Sequence, residues 1–134
     1  MATAEALDGE MRARAAAHRE ERGSDFETIE EPLDLNRVLS RPYGVFVIDC
    51  LTLWISNLLF AERDVVEEAA SFLRAAGSSP ATVILVGNEV GCGIVPDNEL
   101  SRRFRDLAGS VNQQAASAAA EAWWMAFGIP MRLK

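Results

Sequence analysis

Apolar residues fall along this chain in two periods. Val45-Phe46-Val47-Ile48 and Thr82 to Val86 are short continuous runs of β-branched and aromatic residues, the pattern of strands buried on both faces. Ala122 to Phe127 reads as a third strand, and Met131 to Lys134, after Pro130, as a short terminal one. Between the strands the spacing is helical. Leu51 to Phe60 and Asp64 to Ala76 read as helices, with Gly77-Ser78-Ser79-Pro80 as the stop and loop. Leu100, Phe104, Leu107, Ala108, Val111 and Ala115 recur at helical intervals and predict a long amphipathic helix from about Asn98 to Ala120. At the front, Ala4 to about Glu21 is rich in Ala, Glu, Arg and Met without proline, a helix ending near Gly23. Ser24 to Pro42 is polar and loop-like, with Thr28-Ile29-Glu30 a short strand and Leu33 to Leu39 a short helix. Strands alternating with helices predict an α/β fold with a mostly parallel sheet.

The 134 residues suit a single domain, 1–134, with 49% hydrophobic and 25% charged residues, enough to build a core without disulfides. Cys50 and Cys92 sit far apart in apolar stretches, as free thiols of a reducing compartment do, so the cytoplasm is the expected location. A net charge of −7 argues against a broad footprint for nucleic acid or an anionic membrane and leaves room only for a local basic site. The longest apolar runs, Val45 to Ile48 and Ala122 to Pro130, fall short of the roughly 20 residues a membrane helix needs. Glu5, Asp8 and Glu10 stand where a signal peptide would carry its apolar core.

In parallel sheets, ligands bind outside the carboxyl ends of the strands. Two predicted strands end in polar residues there: Ile48 is followed by Asp49, and Val86 by Gly87-Asn88-Glu89. An acid at such a strand end is the position from which nucleotide-binding enzymes hold Mg²⁺. The competing reading makes Asp49 a cap for the helix starting near Leu51.

The runs Val47-Ile48-Asp49-Cys50-Leu51-Thr52-Leu53-Trp54-Ile55-Ser56-Asn57-Leu58-Leu59 and Asn88-Glu89-Val90-Gly91-Cys92-Gly93-Ile94-Val95-Pro96 resemble two signatures of one family. It is the adenosylcobinamide kinase / adenosylcobinamide-phosphate guanylyltransferase family of cobalamin biosynthesis. Arg103-Phe104-Arg105-Asp106-Leu107-Ala108-Gly109, Val111-Asn112-Gln113 and the terminal Gly128-Ile129-Pro130-Met131-Arg132-Leu133-Lys134 fit its pattern too. So do Ala2-Thr3-Ala4, Glu10-Met11, His18-Arg19-Glu20-Glu21-Arg22 and Thr28-Ile29-Glu30-Glu31-Pro32, which extends the resemblance, in order, over essentially the whole chain.

The resemblance implies a RecA-like P-loop fold, a homotrimer, and a bifunctional enzyme. Such an enzyme phosphorylates adenosylcobinamide with ATP or GTP, then transfers GMP from GTP onto adenosylcobinamide phosphate through a histidine-GMP intermediate. His18, the one histidine in the chain, falls on the guanylylated position. A neutral imidazole is a competent nucleophile toward an α-phosphorus, and Arg12, Arg14, Arg19 and Arg22 supply cations around it. If the helix holds, Arg14 and Arg22 share the face of His18; the plain alternative is a solvent-exposed histidine on a charged helix end. By position, Ala2, Thr3 and Ala4 lie against the nucleotide, Arg19, Glu20, Glu21 and Arg22 beside the nucleophile, and Asp49 on nucleotide and Mg²⁺. Glu30 matches a guanine-nucleotide contact, its carboxylate accepting from guanine N1 and N2 or from ribose hydroxyls, against the alternative of a solvated acid beside Glu27 and Glu31. Asn88, Glu89, Arg103 and Arg105 are left between substrate, neighbouring subunits and fold. Trp123 and Trp124 point to opposite faces of a strand and are expected to pack rather than to form a corrinoid platform.

One departure stands out. The family opens with a strand, a G-x-x-x-x-G-K-[ST] loop and a helix, whereas this sequence starts Met1-Ala2-Thr3-Ala4 and contains no such motif. The resemblance then implies weakened triphosphate binding and apolar sheet edges left exposed. The alternative function is a P-loop-less inactive paralogue or fragment acting only as an oligomerising or ligand-binding subunit.

Overall fold

The computed structural model describes residues 1–3, 9, 13, 16, 17, 20, 25–42 and 44–134. Its elements run α1 (Leu35–Leu39), β1 (Val45–Asp49), α2 (Leu51–Phe60), α3 (Val65–Ser78), β2 (Thr82–Val86), α4 (Glu99–Ala118), β3 (Trp123–Ala126) and β4 (Ile129–Arg132). The class is α/β with β1 and β2 parallel, in the register Val45↔Thr82 to Asp49↔Val86. The predicted helix from Ala4 to Glu21 lies mostly outside the described residues.

Local chemistry explains the helix limits. The Asp64 carboxylate accepts from the amides of Val66 and Glu67, both at 3.0 Å, and starts α3. Asn98 does the same for α4 by accepting from Ser101 N at 2.8 Å. At the other end of α4, Lys134 Nζ donates to the carbonyls of Ala116, Ser117 and Ala119, a cation on the negative end of the helix. α3 continues through Gly77 to Ser78, past the predicted stop, with the Ser78 hydroxyl bonded back to Arg74 O.

Phe46 and Ile48 project from one face of the sheet into a core built from Trp54, Ile55 and Leu58 of α2, Val65, Ala69 and Phe72 of α3, and Ala108 and Val111 of α4. Trp54 and Phe72 meet edge to face at 5.5 Å between ring centroids. Arg63 ties the helices together outside the core. Its Nε donates to Glu68 at 2.8 Å, and a second nitrogen to Asp34 at 2.9 Å. The hydrogen bond to Asp34, then that to Glu68, raises its pKa above the ordinary guanidinium value.

Several expectations change. Neither β1 nor β2 is buried on both faces. Val45, Ile84 and Val86 are exposed on the face opposite the core, because the helices described pack on the other one. Thr28-Ile29-Glu30 forms a single bridge rather than a strand. The last strand is Ile129–Arg132, includes Pro130, and pairs antiparallel with β3 in a separate two-stranded sheet. A two-residue turn at Phe127 and Gly128, both at positive φ, closes that hairpin. Trp123 and Trp124 are not packed away: both are about half exposed, with Arg132 stacked 5.7 Å from the Trp123 ring. Among the described residues no helix is long and apolar enough to cross a membrane.

Candidate active site

Residues 1–3 lie beside the carboxyl end of β1. Met1 N donates to Val47 O at 2.6 Å, Asp49 N to Met1 O at 3.0 Å and Thr3 N to Asp49 O at 3.2 Å. On their other side, Ala2 N donates to Ile29 O at 2.8 Å, and Glu31 N to Ala2 O at 3.1 Å. Ala2 therefore bridges in parallel to both Glu30 and Asp49, and Asp49 is in register with Val86. Four residues from four separate parts of the chain stand in one transverse row.

Residues in register across a parallel sheet point to the same face, and neighbouring chains are about 4.8 Å apart. The backbones of Glu30 and Asp49 thus stand about 10 Å apart, with only the Ala2 methyl between them. Val47, on the same face as Asp49, joins Asp49, Met1, Phe26, Glu27 and Thr28 around a cleft of about 130 Å³. That volume is smaller than the roughly 300 Å³ at which ligand pockets begin, so the cleft could hold only part of a nucleotide.

Thr3 turns the other way. Its side chain is fully buried; the hydroxyl donates to Cys50 O at 2.8 Å and accepts from Cys50 N at 2.9 Å. The junction between β1 and α2 is locked by this pair. Cys50 occupies the N-cap of α2 and makes no side-chain cap, so the capping reading of Asp49 is not what the structure adopts. Cys50 is a buried free thiol and Cys92 an exposed one.

The end of β2 is held by a second set of contacts. Asn88 N donates to Thr52 Oγ1 at 2.8 Å and Asn112 Nδ2 to Asn88 O at 3.3 Å, which draws the loop against α2 and α4. Glu89 accepts from Gly91 N at 2.7 Å and so folds back on its own loop. An open cavity of about 380 Å³ beside this loop is lined by Arg105, Asp106, Ser110 and Gln113 of α4, with Gly91 and Gly109. Arg103 is exposed on the same helix.

Of the predicted site residues, Ala2, Glu30 and Asp49 come together in the row, and Thr3 lies beneath it. Glu20 is exposed. Ala4, His18, Arg19, Glu21 and Arg22 lie outside the described residues, as do Arg12 and Arg14. Among the described residues no three His, Cys, Asp or Glu side chains cluster as a metal cage. A single strand-end carboxylate is the donor set expected where Mg²⁺ is completed by substrate phosphates and water. Asn57 and Thr52 hold these loops without any motif to mark them; their one signal in the sequence is a polar residue inside the apolar run of α2.

The chain matches, over residues 1–133, the family described as cobinamide kinase / cobinamide phosphate guanyltransferase, CobU. It is 38% identical to the bifunctional adenosylcobalamin biosynthesis protein CobU of Escherichia coli K12, an alignment covering 100% of this chain and 84% of that protein. Identity and coverage are the same for CobU of Salmonella typhimurium LT2. With the bifunctional adenosylcobalamin biosynthesis protein CobP of Pseudomonas aeruginosa it is 41% identical, over 100% of this chain and 80% of the relative.

Proposed function

From the premise that this chain belongs to the cobinamide kinase / cobinamide phosphate guanyltransferase family, we propose that it acts in cobalamin biosynthesis as adenosylcobinamide kinase and as GTP:adenosylcobinamide-phosphate guanylyltransferase. The observation that carries the reading is the row of Glu30, Ala2 and Asp49 at the carboxyl edge of a parallel sheet, where nucleotides bind in such folds.

In the kinase step, the aminopropanol hydroxyl oxygen of adenosylcobinamide bonds to the γ-phosphorus of ATP or GTP as the bond to the β–γ bridging oxygen breaks, releasing ADP or GDP and the hydroxyl proton. In guanylyl transfer, an imidazole nitrogen of His18 attacks the α-phosphorus of GTP. An N–P bond forms as the bond to the bridging oxygen of pyrophosphate breaks. A phosphate oxygen of adenosylcobinamide phosphate then attacks the same phosphorus, and the N–P electron pair returns to the ring.

Asp49 would hold Mg²⁺, which when bound neutralises phosphate charge. Arg19 and Arg22 serve the phosphates beside the nucleophile, with Glu20 and Glu21 in the same stretch. Glu30 accepts hydrogen bonds from guanine or ribose across the gap that Ala2 leaves open. Thr3, buried beneath the row, supports it from the core side rather than touching the nucleotide, and the family position of Ala4 is a nucleotide contact. Copies of the chain assemble as a trimer in the cytoplasm; the exposed Ile84, Val86, Trp123 and Met125 support association.

The test is incubation of the purified chain with α-labelled GTP and Mg²⁺, followed by denaturing electrophoresis and acid treatment. Acid-labile label that is lost in His18→Ala, with circular dichroism unchanged, is the expected result. A folded chain that takes no label would instead favour the oligomerising or ligand-binding subunit.

A further inference from the structure

The apolar helix that follows Asp49 carries one polar pair, Ser56-Asn57. The Asn57 carboxamide nitrogen donates to two carbonyls, Thr3 O at 2.7 Å and Pro32 O at 3.1 Å. One turn earlier on the same face, Trp54 Nε1 donates to Leu33 O at 2.9 Å. Helix α2 thereby grips two segments that are far apart in sequence. One carries Ala2 and the other Glu30.

Among the described residues the two segments meet directly through one bridge, Ala2 N donating to Ile29 O and Glu31 N to Ala2 O. Helix α2 is a firm anchor, since Leu51, Trp54, Ile55 and Leu58 are all buried. The bound carbonyls belong to Thr3, next to Ala2, and Pro32, two residues past Glu30. A shift of either segment changes the width of the gap between Glu30 and Asp49.

We propose that Asn57 is a positioning residue: by binding the Thr3 and Pro32 carbonyls together on α2, it sets the Glu30–Asp49 gap to the width of the bound guanine nucleotide. The proposal rests on the reading of that row as the nucleotide edge. Without the amide, the Thr3 and Pro32 carbonyls turn to water and their shared tie to α2 is lost. Displacement by about 1 Å is enough to cost on the order of 100-fold in a precisely arranged site.

The test compares wild type with Asn57→Asp, which keeps the shape without the donors, Asn57→Leu, and Leu73→Ala, a core change on α3 that destabilises without touching the row. Hydrogen exchange and equilibrium dialysis with GTP and Mg²⁺ are read on each. The expected result is faster exchange at the amides of Ala2, Thr3 and Glu31, with β2 amides unchanged, and GTP bound at least about 10-fold more weakly in both Asn57 variants but not in Leu73→Ala. Unchanged exchange at those three amides overturns the proposal, as does an unchanged GTP affinity or the same loss in Leu73→Ala. Unfolding of both Asn57 variants also overturns it, because the amide would then hold the fold rather than the gap. If the wild-type chain itself binds no GTP, the nucleotide reading fails and takes the functional half of the proposal with it, whereas exchange still decides whether Asn57 pins the two segments.

Discussion

Replacing Thr3 by valine keeps the shape of the side chain and removes one oxygen from the most buried polar position described. The hydroxyl satisfies both backbone groups of Cys50, and the two are not equally exposed to its loss. Cys50 O retains the α-helical bond from Trp54 N at 3.2 Å, so there the change removes one hydrogen bond, about 1 kcal/mol. Cys50 N has no second acceptor among the described contacts and is left as a buried donor without a partner, about 1–3 kcal/mol. The expected loss is therefore about 2–4 kcal/mol. At a urea dependence of about 1.5 kcal/mol/M, a loss near 3 kcal/mol lowers the unfolding midpoint by about 2 M. Thr3→Ser keeps the hydroxyl and removes a methyl group, at about 1 kcal/mol. The readout is a urea titration followed by circular dichroism, with the Cys50 amide followed by hydrogen exchange. A Thr3→Val midpoint equal to or above that of Thr3→Ser would refute the argument that this hydroxyl locks the junction beneath Asp49.

Asp64→Ala removes two capping bonds from α3 and should cost about 1 kcal/mol in thermal unfolding; no loss would mean the cap is replaced by water. Arg63→Gln should cost about 1 kcal/mol, since the bridged carboxylates are partly exposed. The folded-state pKa of Arg63 is raised, so its charge contributes fully below the ordinary guanidinium value and is lost only as pH climbs through the raised one. The Arg63 side of the penalty should accordingly stay flat between about pH 7 and pH 10, and denaturant midpoints that converge there would contradict it. Ile84→Lys, on the open face of β2, should change monomer stability by less than about 0.5 kcal/mol while weakening self-association in sedimentation velocity. Unaltered association would remove that face from the contact.

The helices were the most legible part of the fold. α2 begins and ends where its apolar run does, and α4 begins after the asparagine that the pattern marks, because helix limits follow from local capping and periodicity. The strands were legible in position but not in burial: a continuous apolar run records that a strand can be covered on both faces, not that it is. The hairpin is not legible in the sequence for a related reason. Its turn rests on Phe127 at positive φ, a conformation that residue type does not advertise.

What the sequence determined by itself was the class of fold, the family, and the identity of the chemical groups: a strand-end acid, a histidine among arginines, and a glutamate in a polar loop. These are properties of residue type and order. The tertiary structure alone decided that Glu30, Ala2 and Asp49 share a row, that Thr3 faces inward, and that Asn57 reaches two carbonyls from a helix more than twenty residues away from either. Those facts depend on register between segments far apart in the chain. Register follows from packing and hydrogen bonding summed over the whole fold, and local sequence carries almost none of that sum.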